Sequence, residues 1–124
     1  MVDPADFARL LEDQASSAHP AALMARGLGL LGVYGTLGRI FLMSQSGEVF
    51  VDEDDGVLRS ADAAEREFVH VQAARRYPEL RHLMPDRPPS ASTCQLCDGS
   101  GEAVIGVGRN RICCPDCNTR GWTA

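Results

Sequence analysis

The chain has 124 residues, a formal net charge of −5, twelve arginines, no lysine and five cysteines. Its 44% apolar and 23% charged residues are typical of a folded protein, and its length allows one modest domain or a smaller domain with an appendage. The acidic balance disfavours general nucleic-acid binding, and the lack of a signal-like N-terminus or an unbroken apolar run predicts a cytoplasmic protein that does not enter a membrane.

The first part of the chain predicts an α+β domain that begins with a helix. Asp3 is a suitable N-cap, a proline follows at the first helical position, and apolar residues recur at helical spacing. These features predict a helix over residues 4–17. A short helical turn follows in the sequence "PAALMAR", and we expect Gly27 to end it.

After these helices the pattern changes to that of a small antiparallel β-meander. Apolar, β-branched and aromatic residues form three segments separated by turn residues, which predicts strands near 29–34, 38–44 and 48–52. Gly47 is expected to adopt a positive φ in the central hairpin. The sequence "VLR" at residues 57–59 is a candidate fourth strand.

The acidic run "DEDD" at residues 52–55 raises the question of calcium binding. An EF-hand loop needs glycine at its sixth position, and the sixth residue counted from Asp52 is Val57. We therefore interpret this run as a solvated acidic turn.

A second long helix is predicted from Ser60, the expected N-cap, to Pro78, with a last turn that reaches Met84. His70 and His82 lie in this segment, and neither has a companion at a metal-ligand spacing, so we interpret both as ordinary histidines. The residues predicted to share one face of the helix are Ala64, Phe68, Val71 and Ala74 or Arg75.

The sequence "PDRPPSAST" at residues 85–93 predicts a semi-rigid, proline-rich linker between an α+β domain of residues 1–84 and a distinct unit of residues 94–124. That last unit holds two CxxC pairs with 16 residues between them, a spacing typical of a closed zinc site. In a reducing compartment such pairs hold metal more often than they form disulfides. We predict a zinc ribbon with one structural Zn²⁺ ion bound by Cys94, Cys97, Cys114 and Cys117.

Two alternatives concern the cysteines themselves. Cys113 lies directly before Cys114, and we favour Cys114 as the ligand because its two-residue gap to Cys117 matches the gap in the first pair. CxxC is also the motif of disulfide oxidoreductases. However, both pairs here lie in turns rich in glycine or proline, without the helix that a thioredoxin-like site requires.

Residues 94–121 resemble a repeat pair from the cysteine-rich zinc region of DnaJ-type co-chaperones, whose unit is CxxCxGxG. The first unit, "CQLCDGSG", matches completely, whereas the second, "CPDCNTRG", has Thr119 where the family has its first glycine. The HPD tripeptide of the J-domain is absent from the sequence. The resemblance therefore implies a zinc site and contact with polypeptides, and it does not imply a co-chaperone.

No serine–histidine–aspartate order, phosphate-binding loop or open metal site is evident, so we expect a non-enzymatic adaptor or chaperone-like protein that binds another protein. The hairpin "GRIFLMSQSGEVFVD" is similar to those of the SUKH superfamily, which includes bacterial toxin-immunity proteins, and an immunity role is one alternative. The other alternative is nucleic-acid binding by the ribbon through Arg109, Arg111 and Arg120, with Trp122 stacking on a base.

Overall fold

The fold is α+β, as predicted: a four-stranded antiparallel sheet with helices, followed by a C-terminal cluster of cysteines between short strands. No helix in the described part of the chain is long and apolar enough to cross a membrane. The computed structural model describes residues 2–16, 22, 25, 27–34, 39–53, 57–105 and 110–123.

The first helix, α1, spans Pro4–Ala15 and ends two residues earlier than predicted. The Asp3 carboxylate accepts hydrogen bonds from the backbone amides two and three residues further on, which satisfies two of the free N–H groups at the start of the helix. The helical turn predicted in residues 20–26 lies outside the described residues, apart from Ala22 and Ala25.

The four strands of the main sheet pair antiparallel in chain order, which confirms the predicted meander and its fourth strand. The central hairpin turns at Gly47, whose φ of +91° is the positive value expected there. The strands are β1 (Leu31–Tyr34), β2 (Ile40–Met43), β3 (Val49–Asp52) and β4 (Leu58–Ser60).

The second long helix, α2, spans Ala63–Arg76, and its N-cap is Asp62. The prediction that Ser60 caps this helix was wrong, because Ser60 is the last residue of β4. The Asp62 carboxylate accepts the N–H of Glu65 at 2.8 Å, and the Glu65 carboxylate accepts the N–H of Asp62 at 3.0 Å. This reciprocal capping box fixes the start of the helix two residues beyond the strand.

The predicted apolar face of α2 is only partly confirmed: Val71 and Ala74 are buried, but the residues that pack on the sheet differ. Val69 and Ala73 join the main core, whereas Ala64 is exposed. Phe68 packs at the edge of the core, with its ring centroid 5.7 Å from that of Phe41. The main core consists of Val2, Phe7, Leu10, Leu31, Val33, Phe41, Met43, Val49, Val51, Val69, Ala73 and Leu80.

Beyond α2 a 3₁₀-helix spans Pro78–Leu83 and forms the predicted last turn, with Leu80 fully buried. The Nε2 atom of His70 lies 2.9 Å from the carbonyl oxygen of Gly47, so this imidazole joins α2 to the central hairpin. His82 is exposed. Among the described residues neither histidine belongs to a group that could hold a metal ion.

A charged cluster holds α2 against the edge strand. The guanidinium of Arg59 makes two hydrogen bonds of 2.8 Å to the carboxylate of Glu65, and Arg39 lies 3.3 Å from the same carboxylate. The hydrogen bonds from Arg59 lower the pKa of Glu65 to about 2, against the opposing effect of burial. A glutamate in an unfolded chain has a pKa of about 4.3. The cluster therefore stabilises the fold above that pH and loses its effect as the pH falls towards 2.

We predict that Glu65→Gln lowers the free energy of unfolding at pH 7 by about 1 kcal/mol, since it weakens partly exposed, charge-assisted hydrogen bonds. The difference between the parent and this variant should begin to shrink below about pH 4, because the glutamate loses its charge in the unfolded chain first. Urea unfolding between pH 3 and 7 measures this, with Glu12→Gln on the exposed side of α1 as control. A difference that is constant over this range would contradict the assigned role.

Candidate metal centre

The C-terminal ribbon is built from two pairs of short strands. One pair is a hairpin of β6 (Glu102–Ile105) and β7 (Asn110–Cys113), whose turn residues 106–109 lie outside the described part of the chain. In the other pair, β5 (Ser92–Thr93) runs antiparallel to β8 (Trp122–Thr123). This second pairing was not predicted, because the two residues of β5 were assigned to the linker.

The structure brings four of the five cysteines together in one buried cluster. The sulfur atoms of Cys94, Cys97, Cys114 and Cys117 all lie within 4.8 Å of one another. The distances that join the two CxxC pairs are 3.8 Å between Cys94 and Cys114 and 3.7 Å between Cys97 and Cys117. A tetrahedron with metal–sulfur bonds of about 2.3 Å has edges of about 3.8 Å. The cluster therefore has the dimensions of a tetrahedral four-thiolate site.

The two cysteine turns, which we call knuckles (residues 94–101 and 114–121), repeat the same hydrogen bonds. The sulfur of Cys97 accepts the N–H of Gly101 at 3.3 Å, and the sulfur of Cys117 accepts the N–H of Gly121 at 3.3 Å. The first cysteine of each knuckle donates its N–H to the last glycine carbonyl of the other, at 2.9 Å in both cases. The ribbon thus has local two-fold symmetry around the sulfur cluster.

The last residue of each knuckle has to be glycine. Gly101 and Gly121 have φ values of +82° and +94°, which side chains rarely allow. A Cβ atom on Gly101 would lie 2.5 Å from the carbonyl oxygen of Thr119, and one on Gly121 would lie 2.5 Å from that of Gly99. The two glycines therefore permit the close approach of backbone N–H groups to sulfur.

Thr119 occupies the position where the second CxxCxGxG unit departs from the family pattern. It keeps a left-handed backbone, with φ of +63°, which costs a β-branched residue roughly 1–3 kcal/mol. The side chain is fully buried, and its hydroxyl donates to the carbonyl of Gly101 at 2.9 Å and accepts from the amide of Gln72 at 2.8 Å. These bonds hold the threonine in the glycine-like conformation.

Burial is the largest single influence on the thiol pKa values of Cys97, Cys114 and Cys117. It raises the pKa of Cys114, and it raises the pKa of Cys117 to about 12. At Cys97 the same effect is outweighed by the N–H of Gly101 and by neighbouring thiols, which lower its pKa to about 7. Four buried thiols resist joint ionisation, so a bound cation is needed to make all of them thiolates.

Cys113 lies outside the sulfur cluster. It is half-buried at the end of β7, and its sulfur is 3.5 Å from the side-chain amide nitrogen of Gln72 in α2. The structure thus places Cys114, and not Cys113, with the other three sulfurs that could hold a metal ion.

Helix α2 contacts the ribbon through polar groups whose contacts the sequence did not predict. The side-chain amide of Asn118 donates to the carbonyl of Ala64 at 2.8 Å, and the guanidinium of Arg120 lies 3.2 Å from the carboxylate of Glu67. Arg75 donates to one backbone carbonyl in each knuckle. The division into residues 1–84, a linker and a ribbon stays a prediction, and these contacts join its first and last parts.

Comparison of the chain with protein-family profiles, with curated proteins and with solved structures finds no significant match in any of the three. No family match therefore supports the DnaJ-type or the SUKH resemblance specifically. What the site can do follows from its own geometry: four buried cysteines that could hold a metal ion.

We predict that Cys114→Ser weakens metal binding by more than about 100-fold, which exceeds the cost of losing an outer-shell partner, and that Cys113→Ser leaves the affinity unchanged. The physical reason is that, of these two cysteines, Cys114 belongs to the sulfur cluster and Cys113 does not. Titration with Co²⁺ measures this, because a tetrahedral four-thiolate site gives intense visible absorption. Full retention of that absorption in Cys114→Ser would show that the second knuckle uses a different sulfur.

Proposed function

We propose that the chain is a small zinc-binding protein in which one structural Zn²⁺ ion is held by Cys94, Cys97, Cys114 and Cys117. The observation that carries the proposal is the buried cluster of four sulfurs within 4.8 Å of one another. Thiolate ligands select soft or borderline metals and disfavour Mg²⁺ and Ca²⁺. Four protein ligands leave no coordination position for a substrate, so the ion has a structural role and the proposal is non-enzymatic.

The proposed ion would supply most of the stability of the ribbon. Among the described residues of the ribbon, the apolar cluster around the four cysteines adds Ala103 with Ile112 packed against it, which is too little to order some thirty residues. Zinc binding to four-ligand sites releases on the order of 10 kcal/mol or more, and that free energy is coupled to folding. The ion therefore determines whether the ribbon surface exists in a defined shape.

We further propose that this surface binds another protein, in an adaptor or chaperone-like role. Two large apolar side chains on the ribbon support this: Leu96 in the first knuckle is 53% exposed and Val104 in β6 is 50% exposed. Both would be held in place by the metal, and exposed apolar side chains on a rigid scaffold suit contact with a polypeptide. An immunity role of SUKH type rests on sequence resemblance alone. Identification of a toxin as the partner would support it.

Nucleic-acid binding is less well supported by the geometry. A stacking residue needs an accessible ring, but Trp122 is 9% exposed. The guanidinium of Arg120 lies 4.4 Å from the centroid of its ring and covers it. The side chains of Arg109 and Arg111 lie outside the described residues.

We predict that protein purified without added metal contains about one zinc per chain, measured by elemental analysis. In this state one thiol, that of Cys113, should react with a thiol reagent, and the other four should react only after a chelator removes the metal. One iron per chain, or four rapidly reactive ribbon thiols without a chelator, would contradict the proposal.

We predict that the double variant Leu96→Asp and Val104→Asp still binds one zinc but binds the partner at least about tenfold more weakly, since loss of central apolar contacts typically costs more than 1 kcal/mol. The partner is first identified by affinity capture from the native cells, and binding is then measured with purified proteins. Val57→Asp is the matched control, because Val57 is 60% exposed outside the ribbon. Salt-dependent binding of oligonucleotides with no protein partner would favour the nucleic-acid alternative.

A further inference from the structure

Arg75, near the end of α2, contacts both knuckles with one guanidinium group. Its Nη1 atom donates to the carbonyl oxygen of Ser100, and its Nη2 atom donates to that of Arg120 at 2.8 Å. These two carbonyls occupy equivalent positions in the two knuckles, each just before the last glycine. The side chain therefore bridges the two symmetry-related halves of the ribbon.

Each of these carbonyls belongs to the peptide group that also contacts a clustered sulfur. The N–H of the first peptide group is that of Gly101, which donates to the sulfur of Cys97 at 3.3 Å. The N–H of the second is that of Gly121, which donates to the sulfur of Cys117 at 3.3 Å. Two hydrogen-bond chains thus run from one guanidinium, through one peptide group each, to two different sulfur atoms.

We propose that Arg75 is an outer-shell positioning residue of the metal centre, and that its single positive charge stabilises two of the four thiolates through these two peptide groups. A cation that bonds a peptide oxygen polarises the group and strengthens the bond that its N–H donates. Four thiolates and one Zn²⁺ carry a net charge of about −2, so a nearby cation lowers the free energy of the loaded site. The inference rests on the proposed zinc site.

Arg75 could instead act only as a structural brace that attaches α2 to the ribbon. Gln72 distinguishes this role from stabilisation of the thiolates. Gln72 also joins α2 to the ribbon, through the hydroxyl of Thr119 and the sulfur of Cys113, but it carries no charge and bonds neither of the two peptide groups. Arg76 is the matched charge control. Arg76 is exposed, and its guanidinium lies over the ring of Tyr77, 5.6 Å from the ring centroid.

The test compares zinc affinity, measured by competition with a chromophoric chelator, in four single variants of the full chain. Arg75→Gln should weaken zinc binding by about 10- to 100-fold, the usual effect of losing an outer-shell partner. The zinc affinity of Arg75→Lys should lie between that of Arg75→Gln and that of the parent, because lysine keeps the charge without the planar fork that reaches two carbonyls. The zinc affinity of Arg76→Gln should equal that of the parent. The fourth variant is Gln72→Ala.

A second measurement reports on the two hydrogen-bond chains directly. In ¹H–¹⁵N spectra of the zinc-loaded protein, the amide protons of Gly101 and Gly121 should both shift upfield in Arg75→Gln, because both N–H···S bonds weaken together. Gln72→Ala should leave these two resonances close to their positions in the parent. The spectra also report whether each variant is folded. If Arg75→Gln does not fold, the same comparison is made with Arg75→Lys.

Unchanged zinc affinity in Arg75→Gln, or a shift of only one of the two glycine amides, would overturn the inference. Equal losses of affinity in Arg75→Gln and Gln72→Ala, without shifts confined to the glycines, would show that Arg75 is only a brace and would also overturn it. Failure of the parent protein to bind zinc would refute the proposed function itself, and with it this inference.

Discussion

Burial of four sulfur atoms within 4.8 Å of one another is the constraint that shapes the C-terminal quarter of this chain. Thiols in such a cluster cannot all ionise without a cation, and each thiolate also needs donors that approach it closely. The chain meets the second need with backbone N–H groups, which requires left-handed glycines at Gly101 and Gly121. Strand pairing, knuckle geometry and symmetry all follow from placing two such turns around one point.

Helix α2 links this cluster to the rest of the molecule because it has neighbours on more than one side. Val69 and Ala73 pack in the core of the sheet domain, whereas Gln72 and Arg75 bond the ribbon. Rigid placement of the helix by its capping box and by the bond from Arg59 to Glu65 therefore also places the groups that hold the ribbon. In the proposed role, a partner would meet a ribbon surface that is fixed to a folded domain.

The two knuckles are symmetric in backbone but differ where α2 touches them. Gly99 in the first knuckle has φ of +84°, and its counterpart Thr119 has φ of +63°. Glycine would adopt this conformation without strain, but it would lack the hydroxyl that accepts from Gln72 and donates to Gly101. The departure from the CxxCxGxG pattern thus exchanges some backbone strain for attachment to the helix.

The sequence by itself determined the features that depend on local pattern: the meander, the positive φ of Gly47, the Asp3 cap and the spacing that brings four cysteines together. It misplaced the cap of α2, although Glu65 three residues after Asp62 gives the sequence pattern of a capping box, whereas Ser60 has an alanine at the equivalent position. It did not reveal β5, since two residues carry no periodicity. The roles of Gln72 and Arg75 were decided by tertiary structure alone, because a polar helix face has the same sequence pattern whether it contacts water or a second set of backbone carbonyls.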